Sequence, residues 1–209
     1  MKKFFACIFA AVFASAALFA QTPEEIITRM DLAMDAFDDQ GCAMVMDIKI
    51  PILGTISTQM YILGDKSKAI AEVKDDKLIT WIDGTTQWTY ESDKNEITIS
   101  NTDPSNESDA ESNMKLLDGV TDGYDVKLKK EDAAAWYFHC TKQKTNPRKD
   151  DPKNMDLVVS KATYLPISVK VSEKGVAVTL RDFAIGVNEK DITFNAADFP
   201  TAKIVDERK

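Results

Sequence analysis

His139 is the only histidine in the sequence, and it stands in the run Trp136-Tyr137-Phe138-His139-Cys140. An imidazole base needs a nucleophile beside it and an acid to orient it, and no Gly-x-Ser-x-Gly elbow occurs in the chain. A polar position on a strand is the plainer reading of His139. One histidine also gives no basis for a histidine-rich metal site or a Ser–His–Asp hydrolase. The aspartate-rich segments lack the Asp-x-Asp-x-Asp-Gly spacing of a calcium loop. No catalytic residue, metal or cofactor is therefore expected. A secreted lipid-modifying enzyme stands only as an alternative, to be checked by turnover on ester substrates.

The chain has three cysteines, Cys7, Cys42 and Cys140. Cys7 lies early in an apolar run, whereas lipidation requires a cysteine at the end of one. Cys42 and Cys140 allow a single intrachain disulfide in an oxidising compartment. The blander alternative is two small buried hydrophobes on separate strands.

The chemistry that remains is apolar. Seven methionines follow Met1, and Met30, Met34 and Met114 fall on segments of helical pattern. Methionine is flexible and polarisable, and it suits surfaces that repack around different apolar partners.

Those residues need an export route and a scaffold. Lys2 and Lys3 precede the apolar run Phe4 to Phe13, and small residues follow up to Ala20. That is the pattern of a cleavable secretory signal over residues 1–20. The 209 residues hold 26 basic and 34 acidic side chains, a net charge of −8. Without Lys2 and Lys3 the balance is 24 against 34, or −10. Such a chain lacks the basic face that nucleic acid or an anionic lipid surface demands. With 44% hydrophobic and 29% charged residues, residues 21–209 read as one folded domain.

Thr22-Pro23-Glu24-Glu25 has the form of a capping box with proline at the first helical position. Ile26, Ile27, Met30, Ala33, Met34 and Phe37 then lay one apolar stripe along about four turns, and Gly41 ends them. After Gly41 the period changes to two. Met44, Met46, Ile48 and Ile50 alternate, as do Ile56, Thr58, Met60 and Ile62. Strands follow at 68–73, 77–82, 87–91 and 96–100. Ser108 and Glu111 then suggest a short helix carrying Met114 and Leu117 inside an insertion. Strands resume at 124–129, 135–142, 155–159, 166–171, 176–182 and 192–194. So many strands joined by short turns curl into a mainly β fold. The expected architecture is an unclosed antiparallel half-barrel of about eleven strands, covered by the N-terminal amphipathic helix and the helical insertion. Its interior either packs solid or holds a ligand.

Leu78-Ile79-Thr80-Trp81-Ile82-Asp83-Gly84-Thr85-Thr86-Gln87-Trp88-Thr89-Tyr90 resembles a hairpin of the outer-membrane lipoprotein carrier family, the LolA-like proteins. Tyr164-Leu165-Pro166, Val176 to Asp182, Ile192-Thr193-Phe194 and Phe199-Pro200 follow that family's order, and Val205-Asp206-Glu207-Arg208 is similar to its tail. The resemblance spans about Gln21 to Lys209. It implies a monomeric periplasmic carrier that takes lipoproteins from an inner-membrane lipoprotein-releasing ABC transporter. It then shuttles their acyl chains to the outer membrane, where an acceptor is possible.

Under that resemblance the acyl-chain cavity is lined by Met44, Met46 and Ile48, by Met60 and Ile62, and by Trp88. Trp136 and Phe138, Leu157, and Ile167 and Val169 complete it. Met30, Met34 and Phe37, with Met114 and Leu117, form the lid. An alternative keeps the fold but makes it a lipoprotein or envelope-stress sensor. Studied family members hold the lid with an arginine where this chain has Gly64-Asp65-Lys66. Lys66 lacks the planar fork of that group.

Overall fold

The computed structural model describes residues 21–102, 119–149 and 151–208. The expected signal segment and the helical insertion with Met114 and Leu117 lie outside these.

The capping box forms as the sequence predicts. The Glu25 amide donates to Thr22 Oγ1 at 3.2 Å, and the Thr22 amide donates to Glu25 Oε2 at 3.1 Å. Helix α1 (Pro23–Met34) follows. The single four-turn helix expected from the stripe is instead divided at Asp35, after which α2 (Ala36–Gln40) begins. Asp35 keeps helical dihedrals, so the apolar stripe continues across the joint. Gly41 ends α2 at a φ of +78°, and a Cβ there would meet the Ile62 carbonyl oxygen at 2.6 Å. Only glycine fits.

Among the described residues, twelve strands make one sheet. In chain order they are β1 (Cys42–Ile50), β2 (Gly54–Leu63), β3 (Lys66–Val73), β4 (Asp76–Asp83), β5 (Thr86–Glu91) and β6 (Glu96–Asn101). Then come β7 (Tyr124–Glu131), β8 (Ala135–Lys142), β9 (Asn154–Ser160), β10 (Pro166–Glu173), β11 (Val176–Ile185) and β12 (Lys203–Asp206). Their order across the sheet is β12-β6-β5-β4-β3-β2-β1-β11-β10-β9-β8-β7. The two end strands do not pair, so the half-barrel stays open. All neighbours run antiparallel except β12, which lies parallel to β6.

One expected strand is corrected. Residues 192–194 form no strand; Ile192 closes the short helix α3 (Glu189–Ile192), which Asn188 caps through a hydrogen bond from the Lys190 amide. Thr193 Oγ1 donates back to the Glu189 carbonyl at 2.8 Å, holding that turn. A 3-10 turn (Ala196–Asp198) follows, and the last strand forms farther on as β12. Local caps thus override three residues of alternating pattern.

β1 joins β2 through Pro51, Ile52 and Leu53. Ile52 has a φ of 72° and is fully exposed. The left-handed region costs a residue with a Cβ about 1–2 kcal/mol, and a branched side chain fits it poorly. Asparagine tolerates it. Ile52→Asn is therefore expected to raise unfolding stability by about 1 kcal/mol, seen as a higher urea midpoint.

Candidate functional site

Cross-strand partners share a face of the sheet, so the strand registers show which residues meet. One row runs Met46–Leu180–Val169–Leu157–Phe138–Leu128 across β1, β11, β10, β9, β8 and β7. The neighbouring row on the same face is Ile48–Val178–Val171–Met155–Cys140–Val126. On the other side of β1, Cys42 pairs with Ile62 and Met44 with Met60. Seven strands thus turn a continuous apolar surface toward the hollow of the half-barrel.

The helices cover it. Ile26, Met30, Met34 and Phe37 are all buried and belong to one core with Met44, Ile62, Trp136, Phe138, Leu157 and Val169. Met46 and Met60 are half-buried against that core. The structure therefore gathers Met30, Met34 and Phe37 of the expected lid against most of the expected lining. The cover is incomplete toward the β1–β2 turn, where Ile48, Val171 and Val178 remain only half-buried.

Two expected lining residues do not join. Trp88 pairs with Trp81, while the neighbouring Thr89–Thr80–Ala69–Met60 series carries the hollow face. Trp88 therefore points to the opposite side, where its ring stacks on Phe194 at 5.3 Å. Phe199 lies 5.6 Å from Trp81 and 4.5 Å from Tyr90. The segment after β11 is thereby fastened to the outer face of β4 and β5. Ile167 is also misplaced: it falls at an irregularity between Pro166 and Ser168, and is 42% exposed. Alternation marks the two faces of a strand but not which one turns inward. Leu180, Met155 and Val178 were missed for the same reason, because only the register aligns them with Met46 and Ile48.

Tyr164 was also missed as a contact of the cover. It sits between β9 and β10 with a φ of 60°, and its ring lies 5.4 Å from that of Trp136. Arg29 Nη1 of α1 donates to the Tyr164 hydroxyl at 3.0 Å, and the Arg29 guanidinium stands 5.3 Å from the ring centre. Gln21 Nε2 is also 3.0 Å from the hydroxyl. Hydrogen bonds from Gln21 and then Arg29 draw the phenol below the ordinary tyrosine value. The cover thus has a polar tether at the β9–β10 turn. Lys66 plays no part in it: its ammonium pairs with Glu189 at 2.6 Å and Asp83 at 3.8 Å on the outer face.

His139 also lies on the outer face, with Nδ1 2.8 Å from Asp156 Oδ1. Cys42 and Cys140 are free and buried on β1 and β8. Burial pushes both thiols up to about 12 from an ordinary 9.0. The folded state therefore keeps thiol protons that the unfolded chain releases above pH 9. This contribution to stability is full below pH 9 and fades as the pH climbs toward 12. At pH 8 both thiols are expected to resist alkylation in the native protein and to react once urea unfolds it. Among the described residues, no cluster suited to a metal ion occurs, and no helix is long and apolar enough to cross a membrane.

The chain is similar to several solved structures. LprF from Mycobacterium bovis superposes with a TM-score of 0.50 at 10% identity, over 83% of this chain and 97% of that one. A LolA superfamily protein from Nitrosomonas europaea gives 0.35 at 12%, over 84% and 99%. The MucA/MucB complex of Pseudomonas aeruginosa gives 0.42 at 12%, over 82% of this chain and 60% of that one. At 10% identity the likeness to LprF is one of fold alone. No protein-family model and no curated protein matches the sequence.

Proposed function

We propose that this protein is a periplasmic carrier that binds the acyl chains of lipoproteins on the hollow face of the sheet. In this reading it receives them from an inner-membrane releasing transporter and passes them toward the outer membrane. The observation that carries the proposal is the continuous apolar surface of β1, β2 and β7–β11, whose described cover is one amphipathic helical segment. Such a cover can be displaced as a unit, and an acyl chain can replace its side chains on the same surface.

Magnitudes limit the mode of binding. Each buried methylene contributes about 0.8 kcal/mol, so a chain of about fifteen would contribute roughly 12 kcal/mol. Three fully buried chains would pass the practical ceiling of about 18–21 kcal/mol, and release would stop. Displacing Ile26, Met30, Met34 and Phe37 offsets part of that gain and keeps exchange possible. Arg29 and Tyr164 add a polar restraint that the ligand must also break.

Protein extracted from the periplasm under mild conditions is expected to carry acyl ligands identifiable by mass spectrometry. Repeated recovery without any acyl species, from cells whose lipoproteins are intact, would overturn the carrier reading.

A further inference from the structure

The β1–β2 turn carries the most exposed large apolar side chains of the described residues. Ile52 is 105% exposed and Leu53 77%, and neither belongs to the core. Ile52 also holds the left-handed conformation in which glycine would be unstrained. A position with no internal contact and a backbone penalty gains nothing for the fold from a branched apolar residue. Its return must come from outside the molecule.

The surroundings define what it meets. From Ile48 through Gly64 the sequence has no acidic residue and one lysine, Lys49, although the chain as a whole is acidic. Asp47, just before that stretch, is already engaged by Arg181 and Ser57. The β10–β11 turn lies alongside: a Cβ on Gly175 would stand 3.4 Å from Pro51 Cγ. That turn brings Lys174, whose side chain is 89% exposed, and Glu173, 3.9 Å from it. The β3–β4 turn flanks it on the side of β2, where Ser57 pairs with Glu72, and brings Lys74, Asp75 and Asp76. The tip therefore presents two bare aliphatic side chains above a rim of mixed lysines and carboxylates. Two side chains are too few for a stable protein interface, which buries about 1,200–2,000 Å². They are enough to enter the boundary between headgroups and acyl chains, with lysine stems reaching back to the phosphates.

We infer that the β1–β2 turn is a membrane-contacting finger, with Ile52 and Leu53 entering a phospholipid bilayer surface. The half-buried Ile48, Val171 and Val178 open toward this same end of the sheet. Contact through the finger thus sets the uncovered edge of the apolar face against the lipid. Its purpose there rests on the carrier reading, whereas the contact itself rests on the turn.

The test is flotation of the full chain with vesicles of the zwitterionic lipids phosphatidylethanolamine and phosphatidylcholine, comparing variants that keep the parent's N-terminus. Ile52→Asp/Leu53→Asp is expected to lower vesicle binding about tenfold or more. Its circular dichroism should match the parent and its melting should be no lower, since the tip packs against nothing and aspartate tolerates the left-handed conformation at position 52. Ile204→Asp, at an exposed isoleucine on β12, controls for general loss of apolar surface and is expected to float as the parent does. Equal flotation of the tip variant and the parent overturns the finger. So does a parent that does not float, including one whose tip instead mediates self-association in sedimentation. Capture of a free fatty-acid probe separates the two readings. Tip-dependent flotation without probe capture leaves the finger standing and counts against the carrier; capture without tip-dependent flotation does the reverse.

Discussion

Phe37→Asp is expected to raise acyl-chain affinity about tenfold or more while leaving the β-sheet circular-dichroism signal intact. Phe37 is 3% exposed and lies at the end of the stripe that α1 and α2 turn onto the sheet. A carboxylate there has no cation to pair with among the apolar residues of the core, and keeping it ionised out of water is unfavourable. The helical cover therefore leaves the hollow, and the acyl chain no longer has to displace it. Full burial of such a side chain is worth about 1.5–3 kcal/mol, which sets the expected size of the effect. Met34→Asp, one turn earlier on the same stripe, should act in the same direction. The sheet survives because its hydrogen-bonded ladder does not pass through the helices. Capture can be read by competition with a fluorescent fatty acid, and an unchanged affinity in both variants would remove α1 and α2 from the binding site.

Leu157→Ala addresses the floor of the same site and should act on stability first. Leu157 is fully buried in the centre of β9, between Phe138 and Val169 in the cross-strand row. Truncation leaves a cavity that rigid strands on both sides cannot close. A loss of about 2–5 kcal/mol in unfolding free energy is expected, visible as a lower urea midpoint at unchanged slope. Val178→Ala, on the half-buried edge of the adjoining row, should cost much less. Comparable losses at both positions would contradict a core centred beneath the helix.

Local signals in the sequence reached far into this architecture. The capping box at Thr22, the stripe from Ile26 to Phe37 and the stop at Gly41 are each visible in residue type and spacing, because each acts through near neighbours. Period-two alternation located eleven of the twelve strands for the same reason. It failed at residues 192–194, where hydrogen bonds from Thr193 and to Asn188 hold a helical turn, and it passed over the four-residue β12. That last strand draws its ordering from a distant partner, β6, and leaves little trace in its own composition.

The candidate site divides along the same line. Met30, Met34 and Phe37 were legible as one face, and Trp136, Phe138 and Leu157 as inward strand positions. Trp88 was not separable from them by type or periodicity. Its aromatic ring suits an interior equally on either side of the sheet, and Phe194 and Phe199 supply a second interior on the outer side. The tether of Arg29 to Tyr164 likewise joins residues 135 positions apart, and no local pattern announces it.

The amino-acid sequence thus determined one amphipathic helical segment and a long series of strands with two distinguishable faces. Tertiary structure alone decided which face became the hollow, how far the helix covers it and where it is tethered. Propensity and periodicity are set within a few residues of the chain. Strand register, sheet curl and the packing of one face against another arise only when distant segments meet.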